Sequence, residues 1–162
     1  MTYAPDPETA APPATLPWPP LLLALIVAAA VALGFAVPLT WPGEDDLLGH
    51  IAGLALGAAG IALIAWAAWT LRRHGTTVLP DKAADVLVTD GPFRFRRNPI
   101  YIGYVLVLLG IAEMTHNIWF AILAIAYILL VTWLAILPEE RHLEARFGDA
   151  YREYKARTRR WI

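Results

Sequence analysis

PIYIGYVLVLLGIAEMTHNIWFAILAIAYILLVTWLAIL, residues 99–137, consists of two apolar runs joined by Thr115-His116-Asn117. The first run begins at Pro99, a residue suited to an opening helical turn, and ends near Met114. The second spans Ile118 to Leu137. So short a link predicts an antiparallel helical hairpin. The first arm is short, roughly 22–25 Å at the helical rise per residue. Among Asp, Glu, Lys and Arg, the hairpin contains only Glu113.

Moving outward, the hairpin is flanked by two polar clusters. GPFRFRRN occupies 91–98, and EERHLEARFGDAYREY occupies 139–154. Toward the N-terminus lie two further apolar runs, about Trp18–Leu39 and Leu47–Leu71. Each covers ~30 Å or more as a helix. The chain of 162 residues is 58% hydrophobic and 17% charged, with a mean hydropathy of +0.51. One soluble domain of this size could not bury so much apolar surface, so lipid is the expected solvent. The expected fold is an all-α integral membrane protein with four transmembrane helices. Residues 1–17 form a proline-rich tail expected to be disordered. Residues 18–71 hold two N-terminal spans, and 72–162 form the chemically active core.

The basic residues set the expected orientation. None lies in residues 1–71; six lie in 72–98 and seven after 138. The short 40–46 link carries Glu44, Asp45 and Asp46 instead. The positive-inside rule then places the long loop, the C-terminal tail and, with four spans, the N-terminus in the cytoplasm. The formal net charge is −1, and nothing in the pattern calls for a nucleic-acid partner. Span two carries Gly49, Gly53 and Gly57 at GxxxGxxxG spacing. Such a face lets a second helix approach closely. It predicts packing against span one or span four, with a homodimer as the other use.

Cysteine is absent, which removes disulfides, thiolate metal sites and a cysteine nucleophile. His50, His74, His116 and His142 have no HxxxH or HExxH spacing, so no metal site is expected. The chemistry is therefore sought in the polar clusters. Arg94, Arg96 and Arg97 arrive just before span three with Phe93 and Phe95 between them. They suit either a membrane-surface anchor or an anion site, because guanidinium groups pair bidentately with carboxylate or phosphate. The helix N-terminus at Pro99 also favours an anion. Glu139-Glu140 follows span four, either as a solvated helix start or as a site for an ammonium group or ribose hydroxyls. Leu143, Phe147, Tyr151 and Tyr154 recur at helical spacing and predict an amphipathic helix. It would lie on the membrane or fold back as a lid over 72–98, with a bend or a close backbone contact at Gly148.

Taken together, GPFRFRRNPIYIG at 91–103 resembles the GP[YF]R…R[HN]PxYxG motif of the isoprenylcysteine carboxyl methyltransferase and phospholipid methyltransferase superfamily. EERHLEARFGDAYREY resembles that superfamily's EExxLxxxFGxxYxxY tail, and Gly75-Thr76-Thr77 with Pro80 looks like a bacterial branch. The resemblance covers about 72–160. It implies an S-adenosylmethionine-dependent methyltransferase, in a bacterial inner membrane, acting on a lipophilic acceptor that arrives from the bilayer. By the same resemblance, Arg97, Asn98, Pro99, Tyr101 and Gly103 form one wall of the cofactor site. Glu139 and Glu140 form the other. Asn98 stands where eukaryotic carboxyl methyltransferases have His. A carboxylate or thiolate acceptor needs no general base; a lipid amine does, and Glu140 and His74 are the candidates. Arg94 would orient an anionic acceptor. The competing readings are an NADPH-dependent membrane reductase, whose relatives share an RxPxYxG-like stretch but not the EExxLxxxFG tail, and a non-catalytic binder of anionic lipid.

Overall fold

The computed structural model describes residues 18–39, 41, 47–76 and 86–161. The expected tail at 1–17, the acidic residues 44–46, Thr77, Pro80 and Lys82 lie outside the described residues. Among the described residues the chain is helical, with one isolated parallel bridge between Arg96 and Arg159. The elements are α1 (Trp18–Ala36), α2 (Leu47–Arg73), a 3-10 turn (Gly91–Arg94), α3 (Pro99–Thr115) and α4 (Ile118–Val131). A π turn (Thr132–Ile136) comes next, then α5 (Leu137–Phe147) and α6 (Asp149–Arg157).

Three helical stretches are long and apolar enough to cross a membrane: Trp18–Ala36, Leu47–Arg73 and the continuous Ile118–Phe147. Pro99–Thr115 is apolar but shorter, at 17 residues. Large apolar side chains such as Leu25, Phe35, Leu54, Ile61 and Trp133 face outward, as lipid-facing residues do. The chain is an integral membrane protein.

The hairpin closes as its sequence predicts. His116 adopts the left-handed conformation, and the Asn117 side chain accepts from the Trp119 N–H to cap α4. Asn117 Nδ2 also donates to the Ala30 carbonyl at 3.0 Å, tying the hairpin tip to α1. The packing order is less obvious from the chain. α1 packs on α4, α4 on α3, and α3 on α2. Neighbours in sequence, α1 and α2, therefore sit at opposite edges of the layer.

The glycine face of α2 corrects one expectation: it meets span three, not span one or span four. A Cβ built on Gly60 would lie 2.6 Å from the Gly103 carbonyl oxygen, and one on Gly110 would lie 2.6 Å from that of Gly53. Backbone meets backbone there, so only glycine fits. Gly57 has open space on its own Cβ side.

The end of span four is a second correction. The helix does not stop at Leu137 but runs through Pro138 to Phe147. Proline lacks an N–H and its ring clashes with the carbonyl four residues back, which normally breaks a helix. Here the backbone widens: the Leu137 N–H donates to the Thr132 carbonyl, five residues back. The wide turn also re-aims the helix beyond it. The buried stripe steps through Phe120, Ala124, Tyr127 and Val131. Unbroken helical periodicity would carry it to Pro138 and His142. Instead it passes through Ile136 to Glu140.

Candidate functional site

The basic end of the bundle gathers three segments: the 91–98 turn, α5, and the chain after α6. The bend expected at Gly148 is present, with φ +53°, and it separates α5 from α6. α6 folds back over the 91–98 turn. Tyr154 is buried and donates its hydroxyl to the Phe93 carbonyl at 2.8 Å. Burial pushes that hydroxyl's pKa up to about 12, so it remains a donor across the working pH range. After α6 the chain runs beside residues 96–98 as a strap. The Arg97 N–H donates to the Arg159 carbonyl at 3.0 Å, and Asn98 Nδ2 donates to the Arg160 carbonyl at 3.1 Å. Trp161 Nε1 reaches Thr132 Oγ1 in the π turn at 3.2 Å.

Glu140 lies at the centre, its side chain only 8% exposed. Arg97 Nε donates to its Oε1 at 3.3 Å, and the Arg97 side chain is 10% exposed. Arg160 grips the same carboxylate with both prongs, Nε to Oε1 at 2.9 Å and Nη2 to Oε2 at 2.7 Å. This bidentate grip raises the Arg160 pKa further. A carboxylate offers about four lone-pair directions, so Glu140 is close to saturated. Arg97 Nη1 turns the other way, to the carbonyls of Lys155 (3.1 Å) and Thr158. These are carbonyls at the end of α6 that its own helix leaves without partners. Glu139, one residue along α5, is partly buried and has no hydrogen bond or ion pair among the described residues.

The structure thus brings Arg97, Asn98, Pro99 and Glu140 together. Tyr101 is buried in the apolar core within the first turn of α3, and Gly103 faces Gly60 and Ile64 of α2. Arg94 is exposed and has no hydrogen-bond partner among the described residues. His74 Nε2 sits 2.9 Å from Asp90 Oδ1, at the foot of α2. That contact holds the Asp90 carboxyl below its usual range, mainly through the hydrogen bond from His74. Three contributors escape a reading of the sequence: Thr158, Arg160 and Trp161. The signal available is the basic run RTRRW at 157–161, which reads as ordinary cytoplasmic charge.

A buried glutamate clamped by two arginines, beside a second glutamate with no ion-pair partner among the described residues, thus stands at the polar end of a lipid-facing helical layer. Residues 48–150 match the family model described as phospholipid methyltransferase. The chain belongs to that family. It is 29% identical over 161 residues to methanethiol S-methyltransferase of Pseudomonas deceptionensis, covering 85% of this chain and 60% of that protein. It is 38% identical over 67 residues to methanethiol S-methyltransferase 1 of Bradyrhizobium diazoefficiens, covering 41% and 22%. It is 32% identical over 106 residues to cobalt-zinc-cadmium resistance protein CzcN of Cupriavidus metallidurans, covering 65% and 46%. In each case the matched stretch spans less than two thirds of the relative's length. No solved structure matches the chain.

Proposed function

We propose that the chain is an S-adenosylmethionine-dependent methyltransferase of the bacterial inner membrane. It has four spans, with both termini and the Glu140 cluster in the cytoplasm. The observation that carries this reading is the charge arrangement at residues 97, 139, 140 and 160. The amino-acid end of the cofactor carries a carboxylate and an ammonium. A guanidinium of the cluster suits the first, and Glu139, unpartnered among the described residues, suits the second. Glu140, already held by two guanidinium groups, acts as the organiser of the site. When bound, the cofactor supplies a sulfonium-activated methyl group. The protein's own task is to align an acceptor and exclude water.

The acceptor we favour is a small apolar thiol, or a lipophilic carboxylate, reaching the site from the bilayer. A carboxylate needs no general base, and a thiol needs none once it has lost its proton to solvent and reacts as the thiolate. Both base candidates for an amine are already engaged, Glu140 with Arg97 and Arg160, and His74 with Asp90. Two relatives are named as methanethiol S-methyltransferases, which agrees with a thiol. Exposed Arg94 remains available to orient an anionic acceptor. A homodimer through Gly49, Gly53 and Gly57 would have to use the open side of Gly57, since Gly53 already packs on α3.

Calorimetry on detergent-purified protein tests the reading, with S-adenosylhomocysteine and NADPH titrated separately. Saturable binding of the first alone is expected. Binding of NADPH alone would move the chain to the membrane reductases, and binding of neither to folded protein would leave the cluster as a structural clasp.

A further inference from the structure

We infer that Arg160 is the residue that takes the cofactor's carboxylate, releasing Glu140 to do so. This inference rests on the S-adenosylmethionine reading and makes it specific. The sequence points to Arg97 for that role, yet Arg97 is poorly placed to supply it. Its Nε is on Glu140, its Nη1 spans two carbonyls at the end of α6, and its backbone N–H holds Arg159. Drawing the Arg97 side chain toward a ligand would strip the last carbonyls of α6 of their partner.

Arg160 is placed differently. Its side chain is 34% exposed, and among the described residues it hydrogen-bonds to Glu140 alone. Its backbone stays fixed by Asn98 Nδ2, and Trp161 anchors the next residue to Thr132. Only the side chain would need to move. A planar guanidinium fork fits any carboxylate, so exchanging that of Glu140 for that of a ligand keeps two charge-assisted hydrogen bonds. Glu140 would retain Arg97 and would not be left as an unpaired buried charge. Without ligand, Arg160 rests on Glu140 as a placeholder. With ligand, the fork turns to the incoming carboxylate while Glu139, next to Glu140 on α5, meets the ammonium.

The test compares two probes on the full-length chain: S-adenosylhomocysteine, and 5′-methylthioadenosine, which keeps the nucleoside thioether but lacks the amino-acid carboxylate. Arg160→Ala should weaken S-adenosylhomocysteine binding by about tenfold or more, the usual effect of losing charged hydrogen bonds. It should leave 5′-methylthioadenosine binding within about twofold, and Arg160→Lys should restore part of the loss. Arg97→Ala should weaken both probes, because it removes the side-chain hydrogen bonds that join Glu140 to the carbonyls of Lys155 and Thr158 at the end of α6. Equal weakening of both probes by Arg160→Ala would make Arg160 structural and overturn the inference, as would no effect on either. If Arg160→Ala does not fold, Arg160→Gln carries the same comparison. Failure of the unaltered protein to bind S-adenosylhomocysteine would instead overturn the cofactor reading, and this inference with it.

Discussion

α3 is fastened at two levels by opposite means. Along its length, Gly103 and Gly110 meet Gly60 and Gly53 of α2, backbone against backbone. At its N-terminal end, Arg97 and Asn98 are tied through charge and hydrogen bonds to Glu140 and to the strap. The glycine seam works by contact alone. It has no group that can change partners, so it either fits or does not. The charged clasp takes ions out of water, and such pairs add little net stability over an apolar replacement. What the clasp offers is exchange: a guanidinium can leave one carboxylate for another at small cost. The seam sets where the helices lie, and the clasp is where a ligand can enter into competition.

The comparison is tested most severely at Glu140. Glu140→Ala leaves Arg97 buried without its carboxylate, so a loss of about 3–5 kcal/mol is expected. The affinity for S-adenosylhomocysteine should also fall well beyond tenfold; thermal unfolding in detergent and calorimetry would measure the two effects. An unchanged melting temperature would show that the clasp fastens nothing. The seam comes next. Gly60→Val should cost about 1–3 kcal/mol through overpacking against the Gly103 carbonyl. Gly57→Ala, whose Cβ would point into open space, should stay within about 0.5 kcal/mol. Equal effects at the two glycines would mean the helices do not cross as described.

Pro138→Ala separates the two levels. Alanine restores an N–H and removes the clash that the π turn absorbs, so the helix can return to regular spacing. Thermal stability should hold or rise, while S-adenosylhomocysteine affinity falls because Glu140 turns away from the buried side. If affinity is unchanged, the wide turn does not aim Glu140.

The smallest effect is expected at the foot of α2. The Asp90 carboxyl titrates below its usual 3.8 because His74 hydrogen-bonds to it. A depressed folded-state pKa contributes stability above about pH 4 that is lost as pH falls through the lower folded value. Asp90 is half-exposed, so Asp90→Asn should cost less than about 1 kcal/mol and should flatten the pH dependence of stability below about pH 4. Unfolding measured between about pH 3 and pH 6 would check it.

The apolar runs and the hairpin were legible because lipid demands long uninterrupted hydrophobic stretches, and a three-residue link leaves only one way back. Arg97, Asn98 and Glu140 were legible because their types and their places beside the hairpin suited a charged ligand. Arg160 was hidden. As one of seven basic residues after position 138, it had nothing local to mark it, and its partner lies 20 residues away in the chain. Span four reads as ending at Leu137, yet the helix runs on through Pro138 by widening one turn.

The sequence by itself determined the solvent, the helices, the family resemblance and the polar end on which chemistry could be built. These come from composition and local spacing, which each stretch of chain carries within itself. Tertiary structure alone decided that the glycines of α2 face α3, that α1 lies against α4, and that Arg160 rather than solvent neutralises Glu140. Those outcomes depend on which surfaces meet when the helices pack. A hydrophobic run does not specify its neighbour, and a guanidinium pairs with whichever carboxylate the fold brings within reach.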